Sequence, residues 1–333
     1  MQKIDKNIGI IGDGGWGTTL AIHLAKKRYH VTLWGASPDY VDQVKKNRFN
    51  TKFLPGIRIP PEVKIVAGLE QAIEPSSIII LAVPSQFASP TLKKLRPFNL
   101  RNKIILSVIK GIDTKSLLRM SQIIERTLGK VRFAVLSGPT IASEVAKGIP
   151  STAVIASKDK KVAQTLQKIM HSENFRIYTN SDVIGVELGG SIKNIIAIAC
   201  GVCDGLGFGT NTKAAILTRG LAEMARLGKA LGAKTETFYG LTGLGDLVTT
   251  CVNPFSRNRT VGEHLGRGGS IKKIVSSMKM VAEGVETSKA VFRLSQKYHV
   301  AVPITQEVYN IVYRNKSPKQ AVSDLMKRKV KSE

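Results

Sequence analysis

The chain has 333 residues, 43% hydrophobic and 22% charged, with 50 Lys+Arg against 24 Asp+Glu for a net charge of +26. That length spans two ordinary domains and buries a large core with no disulfide or metal staple. With 3 cysteines and no apolar run expected to reach a membrane span, the composition excludes secreted disulfide scaffolds, membrane proteins and disordered chains, and fits a reducing compartment.

Residues 1–7 lead into a β-branched strand over 8–11, which leaves no room for a signal peptide. A helix is predicted over 16–27 and a second strand over 30–34. Further strands fit 63–66, 78–83, 103–108 and 132–136, with a helix over 117–128 and a proline-rich loop over 50–62. Two more strands fit 152–156 and 175–178. Near-continuous apolar strands alternating with helices predict a parallel sheet covered on both faces. Beyond about residue 182 the strands give way to helical patterns over 182–202, 211–231, 285–297, 305–313 and 319–327. Residues 1–185 are thus expected to form a nucleotide-binding α/β domain and residues 186–333 an all-helical domain.

Gly12-Asp13-Gly14-Gly15-Trp16-Gly17 is a GxGxxG sequence that follows a strand and opens a helix. Glycines there permit a tight turn and close backbone approach to a pyrophosphate, which the helix N-terminus stabilises. A glycine-rich turn that binds nothing is the weaker alternative, because each glycine lowers the stability of a purely structural turn. The second strand ends Leu33-Trp34-Gly35-Ala36-Ser37. It carries neither the acid that holds a ribose hydroxyl nor an arginine for a 2′-phosphate, so the choice between NAD and NADP stays open.

Lys193 is the only charged side chain between Glu187 and Asp204. A helix this apolar belongs in a core, and a buried ammonium needs a partner or gives up its proton. Such a lysine can donate or accept a proton; the alternative is a snorkelling side chain with its head in water. Cys200 and Cys203 form a CxxC inside the same helix and read as small core residues.

Four further places could hold an anion. Lys110-Gly111 follows a strand at the carboxyl edge of the sheet. Ser137-Gly138-Pro139-Thr140 follows the next strand and opens a helix. Asp246 lies in the glycine-rich turn 242–247, where an ordinary helix cap is the alternative. Ser256-Arg257-Asn258-Arg259 offers a guanidinium fork for phosphate, against an exposed basic loop. The lysines are otherwise spread along the chain; Lys327-Arg328-Lys329 with Lys331 is the one dense terminal cluster. With 6% aromatics there are few platforms for bases, so a solvated basic surface outweighs a nucleic-acid site.

These motifs in this order resemble bacterial-type glycerol-3-phosphate dehydrogenase. The matching stretches include Trp16-Gly17-Thr18, Phe53-Leu54-Pro55-Gly56, Lys110-Gly111, residues 137–140 and 185–194, and Gly205-Leu206-Gly207-Phe208-Gly209. They continue through residues 218–224, 243–247 and 256–259 to Val281-Ala282-Glu283-Gly284, and the resemblance spans residues 8 to about 315. It implies an α/β fold, with a Rossmann-type doubly wound sheet followed by an all-α C-terminal domain. It also implies reversible hydride transfer between NAD(P)H and dihydroxyacetone phosphate, giving sn-glycerol 3-phosphate for phospholipid synthesis. By the same resemblance Lys193 is the proton donor and acceptor. Lys110 lies near carbonyl and cofactor, and Asp246 orients Lys193 or a substrate hydroxyl. Ser256, Arg257 and Asn258 hold the phosphate, and Gly138 and Thr140 line the substrate pocket. Gly12, Gly14, Gly15, Trp16, Gly17, Ala142, Val281 and Glu283, with Lys110 and Arg257, contact the cofactor. Where such proteins often carry a basic residue after the second strand, this chain has Ala36. No metal, no specific nucleic acid and no membrane insertion are expected. A cytoplasmic location fits, and a homodimer stays open. Another dehydrogenase of the 6-phosphogluconate type, or a nucleic-acid-binding protein with an inherited dinucleotide domain, are the alternatives.

Overall fold

The computed structural model describes residues 6–278 and 280–330. Residues 1–5, Lys279 and 331–333, which include Lys331 of the basic cluster, lie outside the described residues. The chain divides into two compact units, Met1–Lys110 with Arg119–Val183, and Gly111–Leu118 with Ile184–Glu333.

Unit 1 alternates strands and helices: β1 (Asn7–Ile11), α1 (Gly15–Lys26), β2 (His30–Trp34), α2 (Pro38–Asn47), β3 (Lys64–Val66), α3 (Leu69–Ile73), β4 (Ile78–Leu81), α4 (Ala88–Leu95) and β5 (Ile104–Ser107). It continues with α5 (Met120–Leu128), β6 (Arg132–Ser137), α6 (Ala142–Lys147), β7 (Ser151–Ala156), α7 (Lys160–Met170) and β8 (Phe175–Asn180). Every residue of β4 and β5 is buried, as expected for strands covered on both faces. The strand order is β3-β2-β1-β4-β5-β6-β7-β8. It reverses direction between β1 and β4, the switch point beyond whose carboxyl ends such sheets bind ligands. The glycine turn leaves β1 at that point.

One expectation fails here. The sheet is mixed, because β7 runs antiparallel to β6 while β1 to β6 are mutually parallel. The connection explains it. A six-residue strand is roughly 20 Å long, and the six residues of α6 return only about 9 Å. The chain cannot regain the start of β6, so β7 pairs in the opposite sense. A second difference lies at 117–128. Leu117 takes a left-handed conformation, φ 60°, in a turn whose Asp113 carboxylate accepts the Ser116 backbone N–H at 2.7 Å. The helix therefore starts only at Met120, and Ile112 and Leu117 pack with unit 2.

His23 on α1 ties α1 to α7, donating Nε2–H to the Met170 carbonyl at 2.7 Å, with its ring edge-on to Phe175. Burial pulls its pKa from 6.5 to about 4; the Met170 bond opposes this, and Lys27 and Lys26 add to it. The unfolded chain thus takes up a proton that the folded chain refuses. Stability present above pH 6.5 is lost as pH falls toward about 4, by about 3 kcal/mol at most. His23→Gln keeps an N–H donor and removes the titration, so urea unfolding across that window should lose much of its acid slope. An unchanged slope would reject the assignment.

Unit 2 is helical: α8 (Val183–Gly205), α9 (Thr210–Ala230), α10 (Thr235–Tyr239), α11 (Asp246–Val252), α12 (Arg257–Gly266), α13 (Ile271–Ser277), α14 (Glu283–Lys297), α15 (Pro303–Arg314) and α16 (Pro318–Met326). The expectation about apolar runs needs correction. By length and hydropathy α8 is able to cross a membrane, yet 94% of its most apolar window is buried inside the fold. Its Leu188, Ile192, Ile195, Ile196 and Ile198 form the centre of the unit 2 core. Each buried side chain of this size contributes about 1.5–3 kcal/mol. Glu223 of α9 is also buried, and its two carboxylate oxygens accept the Ile304 and Thr305 N–H groups at 2.8 and 2.9 Å, capping α15.

Candidate active site

The glycine turn is built by contact as well as by conformation. Gly12 has φ 123°, donates its N–H to the Trp34 carbonyl at 3.0 Å, and lies where a Cβ would stand 2.8 Å from Ala82 backbone atoms. Gly17 presses against the Gly12 carbonyl and Gly15 against that of Phe53. Gly14 differs: it is the N-cap of α1, with φ −62° and ψ 175°, and a Cβ there would meet nothing within 4 Å. No side chain caps α1 and no acid occupies its first turn. The turn therefore offers a bare backbone cradle at a positive helix end, which fits a pyrophosphate. The buried Trp16 indole nitrogen has no hydrogen-bond partner among the described residues, although its ring lies edge-on to Phe175. Also in unit 1, Lys110 donates to the Gly138 carbonyl at 3.1 Å, and Thr140 Oγ1 donates to the same oxygen at 3.2 Å. Gly138 has φ 144° just after β6, and the Ala142 carbonyl accepts a bond from Thr19 Oγ1 at 3.0 Å.

In unit 2, Lys193 is 5% exposed, which removes the snorkelling alternative. Its ammonium forms an ion pair with Asp246 and donates to Thr250 Oγ1 at 2.8 Å. Asp246 is 1% exposed. It is not the N-cap of α11, a place taken by Gly245: residues 241–245 make a π turn, and Asp246 is the first residue of α11. Gly189, one turn before Lys193 on α8, brings the acid here, since a Cβ there would stand 2.5 Å from the Thr242 carbonyl oxygen. A buried ion pair fixes an ammonium group in a low-dielectric setting, an arrangement suited to acting on an oxygen that gains negative charge.

The 256–259 segment is the start of α12 rather than a loop. Ser256 is its N-cap and accepts the Arg259 N–H at 3.4 Å. Arg257 is exposed and gives Nη1–H to the Val281 carbonyl at 2.7 Å. Asn258 is buried: Nδ2 donates to Asn194 Oδ1 at 3.0 Å, and Oδ1 accepts the Gly284 N–H at 2.9 Å. Its side chain thus latches α12 to α8 and α14. Half-buried Glu283 opens α14.

The description "NAD-dependent glycerol-3-phosphate dehydrogenase" fits both halves of the chain, with its N-terminal family model matching residues 7–163 and its C-terminal model residues 182–323. The chain belongs to this family. A glycerol-3-phosphate dehydrogenase (NAD(P)+) of Chlorobium limicola is 47% identical over 330 residues, covering 98% of this chain and 99% of that protein. One of Geobacter metallireducens is 46% identical over 331 residues, covering 98% and 99%. The crystal structure of glycerol-3-phosphate dehydrogenase from Coxiella burnetii superposes with a TM-score of 0.94 at 38% identity, covering 97% of this chain and 99% of that one.

Sequence reasoning missed several residues that hold these candidate positions in place. Thr250 stands four residues after Asp246 on one helix face, a spacing that would have pointed to it. Asn194 adjoins Lys193, and its partnership with Asn258 leaves no local signal. Fully buried Asn50 pins the glycine turn, donating Nδ2–H to the Asp13 carbonyl at 2.7 Å and to Thr18 Oγ1 at 2.8 Å. Cys200 lies beside Cys251 as a hydrogen-bond partner, and burial pushes the Cys203 thiol up to about 12, so these are inert core thiols. Among the described residues no group of three or more His, Cys, Asp or Glu could hold a metal.

Proposed function

We propose that the chain reduces dihydroxyacetone phosphate reversibly to sn-glycerol 3-phosphate, with Lys193 as the proton donor and acceptor. The observation that carries this reading is the buried Lys193–Asp246 pair in a chain of this family. A nicotinamide dinucleotide bound at the glycine turn would supply the hydride for the ketone carbon. As the carbonyl oxygen takes up the electron pair, the Lys193 ammonium stabilises the charge and hands over a proton. Asp246 and Thr250 keep the lysine aimed and recover its geometry after transfer. In reverse, neutral Lys193 takes the hydroxyl proton. Gly12, Gly14, Gly15, Trp16, Gly17 and Ala142 would seat the dinucleotide in unit 1, where Lys110, Gly138 and Thr140 would meet the substrate. In unit 2, Arg257 with Ser256 and Asn258 would hold the phosphate, and Val281 and Glu283 would contact the cofactor. The reading has the enzyme act in the cytoplasm and supply phospholipid synthesis, with no nucleic-acid or membrane partner.

Initial rates of NADH and NADPH oxidation test it, with dihydroxyacetone phosphate, dihydroxyacetone and 3-oxo acids as substrates. Turnover is expected with the phosphorylated ketone. No turnover by folded protein with either cofactor overturns the reading. Arg257→Ala removes a charge-assisted fork and should raise KM for dihydroxyacetone phosphate by about 10- to 100-fold, with a smaller change in kcat. An unchanged KM would take Arg257 out of the phosphate site.

A further inference from the structure

The tip of β2 carries no acid of its own: Trp34 is followed by Gly35, Ala36 and Ser37. In dinucleotide-binding sheets, an acid at this place accepts the 2′-hydroxyl of the adenosine ribose, and a basic side chain takes a 2′-phosphate. In this fold the place is filled from another segment. Asp13, between the first two glycines of the turn, lays its carboxylate against Gly35. A Cβ built on Gly35 would run into Asp13 Oδ2, with Asp13 Cγ at 2.7 Å and Val41 Cγ2 at 2.6 Å. The missing side chain at the strand tip and the acid in the turn are therefore complementary.

Asp13 is held in this position by its backbone. Its carbonyl accepts Asn50 Nδ2–H at 2.7 Å and Thr18 Oγ1–H at 3.2 Å, and Asn50 is itself fixed by Tyr40 and the Phe53 N–H. The carboxylate makes no hydrogen bond to another described residue, and burial pushes its pKa above the usual carboxylate value. Its own backbone N–H and the charge of Lys52 act the other way. Lys52 is exposed and lies over the rings of Phe53 and Tyr40, at 5.0 and 5.8 Å. A hydroxyl brought beside this half-buried carboxylate supplies the donor it lacks. A phosphate brings a second negative charge that one exposed ammonium screens only in part.

We propose that Asp13 reads the 2′ position of the adenosine ribose and sets a preference for NADH over NADPH. The inference rests on the dinucleotide reading of the glycine turn. It is tested by equilibrium titration of the full chain with NADH and NADPH, and with ADP-ribose and its 2′-phosphate, for wild type, Asp13→Ala and Asp13→Asn. The wild type should bind the unphosphorylated member of each pair at least about tenfold more tightly. Asp13→Ala should weaken NADH and ADP-ribose and bring each pair to near equality. Asp13→Asn keeps the shape and an acceptor but loses the charge; it should hold NADH and gain NADPH, and it serves if the alanine variant fails to fold. Equal binding within each pair by wild type, or an unaltered ratio in the variants, overturns the assignment of Asp13. If that occurs while dihydroxyacetone phosphate is still reduced, the proposed function stands. Failure to bind any of the four probes overturns both.

Discussion

Replacing Lys193 by methionine should abolish turnover while NADH binding persists. A positioned general acid is worth about 10²- to 10⁴-fold in rate, and that loss should fall on kcat. The same change strips Asp246 of its cation at 1% exposure. Breaking a buried pair on one side costs about 3–5 kcal/mol, so a large fall in urea resistance accompanies it. The double variant Lys193→Met with Asp246→Asn separates the two effects. It leaves no unpaired charge at the 193–246 position, so much of the stability should return while the activity does not. Steady-state kinetics, cofactor fluorescence and urea unfolding on the three proteins decide the matter. Near-normal kcat in the single variant rejects the role given to Lys193. Activity that returns with stability makes the pair a structural one.

The glycine turn should respond oppositely at two positions two residues apart. Gly14 has an ordinary backbone conformation and open space at its Cβ. Gly14→Val should therefore fold, at a cost of about 1 kcal/mol for the poorer N-cap. The new side chain fills the cradle and keeps phosphate oxygens from the backbone N–H groups, which should weaken NADH by about 10- to 100-fold. Gly12→Ala meets a φ of 123° and the Ala82 backbone, and should destabilise the fold itself. Calorimetric titration with NADH and thermal melts read out both. A Gly14→Val protein that binds NADH normally contradicts the cradle.

What the sequence made legible follows from the range of the forces involved. The apolar strands of unit 1 and the long core helix α8 are local patterns, and they survive in the structure with ends shifted by a few residues. The reversal of β7 depends on how far a six-residue helix reaches, and the delayed start of α5 depends on one left-handed residue, Leu117. Neither alters local periodicity. Lys193 stood out because one charge interrupts an apolar face. Asp246 lay in a visible turn, but only the close approach at Gly189 turns it toward the lysine. Asn258 carried a signal of polar chemistry, yet its described bonds serve packing between helices. Asp13 was in plain view inside a recognised motif. Its meaning appears only when Gly35, from a different strand, is set beside it.

The most direct measurement is the fate of a label. Dihydroxyacetone phosphate is incubated with the protein and NADH that carries deuterium in its transferable position. The account predicts sn-glycerol 3-phosphate with deuterium at C2 and a hydroxyl proton drawn from solvent, formed by wild type and lost in Lys193→Met. Consumption of NADH with no label at C2, or equal labelling by the lysine variant, would contradict it.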